Sequence, residues 1–445
     1  MTLARRALAP LTCLCLAATA AHASDPFLRR TATVQAVEKV GPSVVNVTTE
    51  QTRKGGPFRP LGDPFFDRFF QDFFESRVPE TTQSLGSGVV IDAAGHVLTN
   101  EHVISRADVI RVTLADGREL DANLVGAEPN FDLAVLELVA AKGVPFTTPG
   151  SSGDLLVGEP VIAIGNPFGL SNSVTTGVVS ALNRSVRTED RAYHGFLQTD
   201  ASINPGNSGG PLLNAEGSLI GINTAVYQGA QGIGFAIPID VAKRVVGELL
   251  TKGEVSPVWL GVDVQDLDGR IAELMELPRK LMGALVSRVR EDGPAARSDI
   301  ARGDVIVRVD GAPVRTAREF YEHLERATSG QSLALGLWRA GAERSVSIAT
   351  QAIPEKQIDA LGEQLLGARL GAPDGAGSVV ESVRAGSGAA QIGLQAGDRI
   401  LGINGRGLTS PAVWRRIALD LRGRSHALVV VQRGRDRYHV TIPLS

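Results

Sequence analysis

Short apolar runs separated by turn residues form the dominant pattern of the chain from Val34 to about Pro238. Turns such as Asp92-Ala93-Ala94-Gly95 divide the runs. They cover residues 88–91, 97–99, 110–114, 119–125, 135–138, 161–164, 174–180, 219–226 and 234–237. Runs of this length and spacing, bounded by Gly and Asp, predict the strands of an all-β barrel or sandwich. A helical pattern over 239–250 closes the segment, and Ser256-Pro257 marks its boundary.

An internal repeat occupies the rest of the chain. Four landmarks recur at a constant offset of 94 residues: Pro294-Ala295-Ala296 and Gly388-Ala389-Ala390, Gly303-Asp304 and Gly397-Asp398, Asp310-Gly311 and Asn404-Gly405, and Phe320 and Trp414. The constant offset predicts two copies of one small domain, over 258–352 and 361–445, joined near Ile353-Pro354. We expect Phe320 and Trp414 to lie on a helix and to pack in the core of their copies.

Composition limits the architecture further. The chain has 445 residues, 43% hydrophobic and 21% charged, and is too long for a single hydrophobic core. Its 45 basic and 48 acidic residues give a net charge of -3 without a long basic block, so we expect no nucleic-acid partner. The 50 glycines and the 5% aromatic content disfavour an all-helical fold.

The first 23 residues predict a cleaved secretory signal peptide. Arg5-Arg6 precedes an apolar run over 7–21, and Ala21-His22-Ala23 has the small-residue pattern of a cleavage site. An uncleaved membrane anchor is the alternative, but the run is shorter than the roughly 20 residues that span a bilayer. Leu11-Thr12-Cys13 also resembles, loosely, a lipoprotein box.

Both cysteines of the chain, Cys13 and Cys15, lie in this leader. An exported mature chain would have neither a disulfide nor a catalytic thiol, so catalysis would use Ser, Thr, His or carboxylate groups.

A metalloenzyme using His96 and His102 is one alternative. The sequence has no His-Glu-x-x-His or Cys-x-x-Cys pattern, so we expect no metal and no cofactor.

The most specific chemical signal is the segment Gly206-Asn207-Ser208-Gly209-Gly210-Pro211. A serine on a Gly-flanked turn is open to attack a carbonyl, and backbone N–H groups beside it can converge on the resulting oxyanion. Such a serine needs a base, and the base needs an orienting carboxylate. His102 follows an apolar strand and Asp132 opens another, so both lie at strand ends.

Each of these features also has an ordinary structural explanation. The Gly-Asn-Ser-Gly-Gly segment alone could be a plain hairpin, His102 a surface or core histidine, and Asp132 a turn cap. Their occurrence together, in the order His, Asp, Ser within an all-β segment, favours a catalytic triad.

These motifs resemble those of the HtrA or Deg serine proteases, which carry a chymotrypsin-like double β-barrel followed by PDZ domains. The resemblance covers residues 34–445 and is strongest over 197–212; the segments 99–103, 132–135, 165–169 and 232–238 also look like the family. The two tail domains are similar to the two-PDZ periplasmic type, DegP- and DegQ-like. The implied domains are a signal peptide at 1–23, a protease domain at 24–255, and PDZ domains at 256–352 and 353–445.

The resemblance implies roles for individual residues. His102 would be the general base, Asp132 its orienting carboxylate and Ser208 the nucleophile, with an oxyanion hole formed by Gly206, Asn207 and Ser208. The floor of the specificity pocket would be Ser202, and the other expected pocket residues are Ile203, Thr224, Ala225 and Val226. Because Ser202 has no charge to pair with Lys or Arg, we expect cleavage after small or medium aliphatic residues such as Val, Ala and Ile.

The PDZ domains imply peptide binding. In the first copy, the loop Trp259, Leu260, Gly261, Val262 would capture the carboxylate of an apolar C-terminus while the peptide adds a strand to the sheet. The equivalent loop of the second copy is Leu366-Gly367-Ala368. Leu-Gly pairs are common, so a purely structural role is the alternative. We expect peptide binding at the first copy to raise activity at the triad.

The resemblance also implies an overall function. The chain would be an ATP-independent serine endoprotease of the periplasm that degrades misfolded or unfolded proteins through an acyl-enzyme, and the sequence has no Walker-type nucleotide loop. A chaperone activity and a homo-oligomer built from trimers are further expectations. The alternative is a chaperone or peptide-binding protein with little proteolysis.

A Phe-rich insertion lies between about residues 51 and 84 and contains no cysteine, which excludes redox control through it. Asp63 and Pro64 fit the start of a helix. Its six rings would form one apolar face: Phe65, Phe66, Phe69, Phe70, Phe73 and Phe74. We expect this face to contact a neighbouring subunit; the alternative is that it covers a gap in its own barrel.

Overall fold

The protein is mainly β, as the apolar pattern predicts. The computed structural model describes residues 29–51, 82–105, 107–167, 172–187, 192–204, 206–226 and 232–444. The signal peptide and the Phe-rich helix predicted above lie outside these residues. Within them, the chain forms two closed six-stranded barrels followed by two smaller sheets. No helix in these ranges has the length and apolar character to cross a membrane.

The first barrel follows a short helix, α1 (Ala32–Val40), whose N-cap is Thr31. Its strands are β1 (Val44–Gln51), β2 (Thr82–Val90), β3 (His96–Thr99), β4 (Val109–Thr113), β5 (Glu119–Glu128) and β6 (Leu133–Leu138), in the order β1-β2-β3-β6-β5-β4. The one-turn helix α2 (Glu101–Ile104) follows β3. The β2–β3 turn forms where predicted, because Asp92 accepts hydrogen bonds from the N–H groups of Ala94 and His96.

The second barrel repeats this size. Its strands are β7 (Pro160–Gly165), β8 (Ser173–Arg187), β9 (Ala192–Thr199), β10 (Pro211–Asn214), β11 (Leu219–Val226) and β12 (Gly234–Pro238), in the order β10-β11-β12-β9-β8-β7. Helix α3 (Ile239–Lys252) follows and ends at Gly253, whose φ of 76° favours glycine. One apolar cluster joins residues of both barrels to the buried face of α3, so this helix helps to hold the barrels together.

The repeat predicts two small domains, and the chain forms them. The first contains β13 (Val258–Trp259), β14 (Val262–Asp266), α4 (Gly269–Leu274), β15 (Ala284–Val289), β16 (Val305–Val309), β17 (Ala312–Pro313), α5 (Ala317–Leu324), β18 (Ser332–Arg339), β19 (Ala342–Ala349) and β20 (Gln351–Ala352). Its main sheet has the order β14-β15-β16-β18-β19, so β14 is an edge strand. Phe320 on α5 is fully buried in the core, as predicted.

The second small domain begins with a helix. It contains α6 (Glu355–Leu366), β21 (Ala368–Leu370), β22 (Ser378–Val383), α7 (Gly388–Gln391), β23 (Arg399–Ile403), β24 (Arg406–Gly407), α8 (Pro411–Asp420), β25 (His426–Arg433) and β26 (Asp436–Pro443). Trp414 lies on α8 and is buried, as predicted. Gly362 of α6 faces the ring of Trp414 so closely that a Cβ would overlap it, and α6 therefore packs directly on α8.

The repeated Gly-Asp pair has a structural reason. Gly303 and Gly397 take φ values of 95° and 93°, which favour glycine, and each precedes a buried aspartate. Asp304 binds Arg339 through two hydrogen bonds of 2.5 and 2.6 Å, and Asp398 binds Arg433 through two of 2.7 Å. In each copy, the same bidentate ion pair therefore joins the residue before one strand (β16 or β23) to the end of the neighbouring strand (β18 or β25).

Breaking this pair should destabilise the first small domain. We expect Asp304→Asn to lower its free energy of unfolding by about 2 kcal/mol, less than for a fully buried pair because Arg339 is partly exposed. Tryptophan fluorescence during urea denaturation measures this, since all three tryptophans lie in the small domains (Trp259, Trp338, Trp414). The control is Asp299→Asn, which removes the 68% exposed partner of the same arginine and should change stability by less than about 0.5 kcal/mol. Equal losses in both variants would contradict the prediction.

Candidate active site

His102 is placed by the end of the first barrel's third strand. β3 ends at Thr99, and the chain turns into α2, which carries His102 in its first turn. Asn100 supports the turn by donating from Nδ2 to the backbone oxygen of Asp132 over 2.9 Å. The imidazole is buried, so its orientation depends on the groups that surround it.

Asp132 lies in the turn before β6 and has a φ of 52°. Its buried carboxylate accepts hydrogen bonds from His102 N at 3.1 Å and lies 2.8 and 2.9 Å from His102 Nδ1. Thr224 Oγ1 donates to its other oxygen, Oδ2, over 2.6 Å. With Nδ1 held by a carboxylate, Nε2 is the nitrogen left to exchange a proton with a nucleophile.

Ser208 lies in a loop that is braced internally. Asn204 N donates to Asn207 Oδ1 over 2.7 Å, and Asn207 N donates to Asn204 O over 3.1 Å. Gly206 has a φ of 107°, and a Cβ there would overlap Pro167, so only glycine fits this turn. Because the Asn207 amide is engaged inside the loop, the amides of Gly206 and Ser208 are the better candidates for binding an oxyanion.

The hydroxyl of Ser208 has a defined resting orientation. Ser208 Oγ donates to the backbone oxygen of Thr224 over 2.9 Å. A hydroxyl has one hydrogen to donate, so this proton is directed at Thr224 and not at His102. Transfer of the proton to His102 therefore requires the hydroxyl to turn away from Thr224 O.

Ser87 on β2 connects the nucleophile loop to the first barrel, and the sequence analysis did not identify it. Its N–H donates to Ser208 O over 2.8 Å, and its hydroxyl donates to Gly206 O over 2.5 Å and accepts from Asn166 N over 2.7 Å. The sequence signal is the pattern Gly-Ser-Gly, since a Cβ at Gly86 or Gly88 would overlap neighbouring valines.

Comparison with known proteins agrees with this geometry. A model of the trypsin-like peptidase domain matches residues 86–222, and two PDZ domain models match residues 258–350 and 379–433. A probable periplasmic serine endoprotease, DegP-like, from Marinomonas sp. is 40% identical over 438 residues, covering 92% of each chain. A protein of the same name from Pseudomonas fluorescens is 39% identical over 440 residues, covering 91% of each.

A solved structure is also similar. The HtrA-type protease AlgWS227A with decapeptide is 38% identical, has a TM-score of 0.50, and covers 72% of this chain and 98% of its own. The chain belongs to the DegP-like family of HtrA serine endoproteases. It is a serine endopeptidase with a trypsin-like domain and two PDZ domains, and its family is periplasmic.

Within the DegP-like protease domain, the predicted pocket residues have different surroundings. Ser202 is exposed, and its backbone oxygen accepts from Thr175 Oγ1 over 2.9 Å. Ile203 is buried in the core of the second barrel. Thr224, which the sequence analysis predicts in the pocket wall, is buried, and its hydroxyl points to Asp132. The side chains of Ala225 and Val226 lie outside the described part of the chain.

The predicted carboxylate-binding loop of the first PDZ domain lies at the start of its edge strand. Leu260 O accepts from Ala295 N over 2.7 Å, and Gly261 O accepts from Arg290 N over 2.8 Å, so both carbonyls point into the domain. Gly261 has a φ of 79° and meets Gly293 closely. Trp259 packs against the apolar cluster of the second PDZ domain.

Removing the Thr224 hydroxyl should slow catalysis by this endopeptidase. We expect Thr224→Val to lower kcat about tenfold to a hundredfold and to change KM by less than about twofold, because the Asp132 carboxylate loses a hydrogen bond of the strong, charged type. Steady-state hydrolysis of a fluorogenic peptide measures both constants. Thr224→Ser keeps the hydroxyl and should restore most of kcat. A Val variant with the parental kcat would show that this hydrogen bond does not support the triad.

Proposed function

We propose that this chain is an ATP-independent endoprotease that degrades misfolded or unfolded proteins in the periplasm by an acyl-enzyme mechanism. The observation that carries the proposal is the buried arrangement of Asp132, His102 and Ser208 around Thr224. Asp132 holds the imidazole by Nδ1, and the nucleophile loop brings Ser208 to the same seam between the barrels. In this proposal, His102 is the base, Asp132 orients it and Ser208 is the nucleophile.

The proposed reaction follows from these positions. Ser208 Oγ turns away from Thr224 O, transfers its proton to His102 Nε2 and attacks the peptide carbonyl. The Gly206 and Ser208 amides stabilise the oxyanion. His102 then protonates the leaving amine, and water hydrolyses the acyl-enzyme with His102 again as base. Asp132 keeps the imidazole oriented through Nδ1 during both steps.

The PDZ domains support a peptide-binding role. The similar HtrA-type protease structure described above was solved with a decapeptide. We propose that the first PDZ domain of this chain binds apolar C-termini and that binding raises protease activity. A chaperone activity on unfolded chains and a homotrimeric building block complete the proposal, and analytical ultracentrifugation would test the trimer.

Loss of the nucleophile is the decisive test. We expect Ser208→Ala to reduce casein and peptide hydrolysis about a million-fold, the scale seen when a triad nucleophile is removed. The control is Ser151→Ala, a serine exposed on the surface, which should keep the parental rate. Retained hydrolysis in a Ser208→Ala preparation free of other proteases would reject the assignment. Low hydrolysis by the parent, with strong binding of unfolded casein, would favour the chaperone alternative.

Specificity gives a separate prediction. Ser202 is exposed beside the nucleophile loop, where Asn207 Nδ2 donates to its backbone oxygen over 3.2 Å. A neutral hydroxyl at the pocket floor cannot pair with a lysine or arginine of the substrate. We expect most cleavages of denatured casein to follow Val, Ala or Ile when the products are sequenced by mass spectrometry. A majority after Lys or Arg would contradict this proposal.

A further inference from the structure

The first PDZ domain has an edge that could accept a peptide strand. β14 lies at the end of its sheet, and its free edge faces α5. Gly261 O accepts from Arg290 N on the β15 side, while the N–H of Val264 points to the opposite side. A peptide added to this sheet would bond to such outward N–H groups of β14.

The hydroxyl of Tyr321 accepts a hydrogen bond from one of these outward N–H groups. The N–H of Val264 donates to Tyr321 Oη over 3.3 Å, and Tyr321 projects from α5 toward β14. The residue is only 7% exposed and belongs to the core cluster of the domain. A distance of 3.3 Å is at the long end for an N–H···O hydrogen bond, so a peptide carbonyl can compete with the hydroxyl for this N–H group. The Tyr321 side chain therefore closes this part of the edge.

Arg422 of the second PDZ domain covers the ring of Tyr321. Its guanidinium carbon lies 4.8 Å from the ring centroid, a cation–π geometry. Arg422 follows α8 and is only 5% exposed, and its Nε donates to Leu419 O over 3.2 Å. Burial lowers the pKa of Arg422 and raises the pKa of Tyr321, as expected for groups withdrawn from water.

Further contacts seat the segment 420–423 on α5. Arg318 Nη1 donates to Asp420 O over 3.2 Å, and its guanidinium also pairs with Glu325 at 3.5 Å. Gly423 has a φ of 67°, and a Cβ there would lie 2.8 Å from the backbone nitrogen of Arg318. The charges around Arg422 therefore include Arg318 as well as the acidic groups Glu325 and Asp420. This close backbone approach fixes the position of Arg422 over the ring.

We propose that Tyr321 closes the peptide-binding edge of the first PDZ domain and that Arg422 of the second PDZ domain holds it closed. The occupant that opens the edge is an extended C-terminal peptide, which replaces the Tyr321 hydroxyl at Val264. The proposal rests on the peptide capture proposed above and adds its regulation.

Opening has a consequence for the second PDZ domain. When Tyr321 leaves β14, its ring can no longer lie under Arg422, and a buried guanidinium without its partner is unfavourable. The segment 420–423 must then move away from α5. A peptide therefore binds the first PDZ domain and loosens the second from it, so the two events are coupled.

Peptide affinity tests the proposal in the full-length chain carrying Ser208→Ala, which protects the peptide from digestion. The labelled molecule is a ten-residue fluorescein peptide ending in three apolar residues, and its C-terminal amide is the ligand control. We expect Tyr321→Phe, which removes the hydroxyl and keeps the ring, to lower Kd about threefold to tenfold in fluorescence polarisation. Arg422→Met, which keeps the apolar stem, should act in the same direction by a similar factor. The matched control is Arg424→Met, an exposed arginine that donates to Asp420 O, with an unchanged Kd.

Hydrogen–deuterium exchange gives a second readout. Peptide should protect the backbone of β14 and increase exchange over 420–424 in the parent chain. The proposal is overturned if the parent binds the peptide and Tyr321→Phe and Arg422→Met bind it within twofold of the parent. If Arg422→Met loses its cooperative thermal transition, Tyr321→Phe and the exchange data decide alone. Absence of binding in every variant would instead reject the peptide capture itself together with this closure.

Discussion

The buried carboxylate of Asp132 is the interaction on which the arrangement of the protease domain depends. It accepts hydrogen bonds from His102, which the first barrel supplies, and from Thr224, which the second barrel supplies. A charge withdrawn from water is stable only when such partners surround it. The two barrels must therefore meet in one relative position before this carboxylate has its hydrogen-bond partners. In that position Thr224, which binds Asp132, also accepts the hydroxyl of Ser208.

Other cross-barrel contacts hold the same position. Ser87 of the first barrel binds the backbone of Gly206 and Ser208, and an apolar cluster shared by both barrels and α3 lies behind them. The nucleophile loop is thus stabilised from outside its own barrel. The resting hydroxyl of Ser208 nevertheless donates to Thr224 O, so the hydroxyl must turn away from Thr224 before it can give its proton to His102.

The two PDZ domains use one framework with different edges. The Asp304–Arg339 and Asp398–Arg433 pairs occur at the same place in each copy. In the first copy, Tyr321 faces the edge strand, whereas the equivalent position on α8 is Arg415, which pairs with Asp359 of α6. The two copies therefore share a core but differ at this position. In the first copy, the side chain on α5 contacts the edge strand; in the second copy, the side chain on α8 pairs with the additional helix α6.

The sequence by itself determined nine of the twelve barrel strands, the repeat and the identity of the candidate triad; it missed β1, β9 and β10. Alternating apolar runs and Gly-Asp turns act locally, so β2, β3, α3 and the 94-residue offset could be predicted without knowing what packs where. The Gly-flanked turn that carries Ser208 was also predicted, and Gly206 in this turn has a φ of 107°. The family motif then connected Ser208 to His102 and Asp132 across distant parts of the chain.

The tertiary structure alone decided which side chains serve these groups. The hydrogen bond from the Thr224 hydroxyl to Asp132 was not predicted, and neither Ser87 nor Arg422 carried a sequence signal strong enough to reveal its partner. The helix α6 was missed because it lies outside the repeated pattern. Contacts of this kind join residues far apart in the chain, up to 119 positions for Ser87 and Gly206. They depend on how barrels and domains meet, which local propensity and periodicity do not encode.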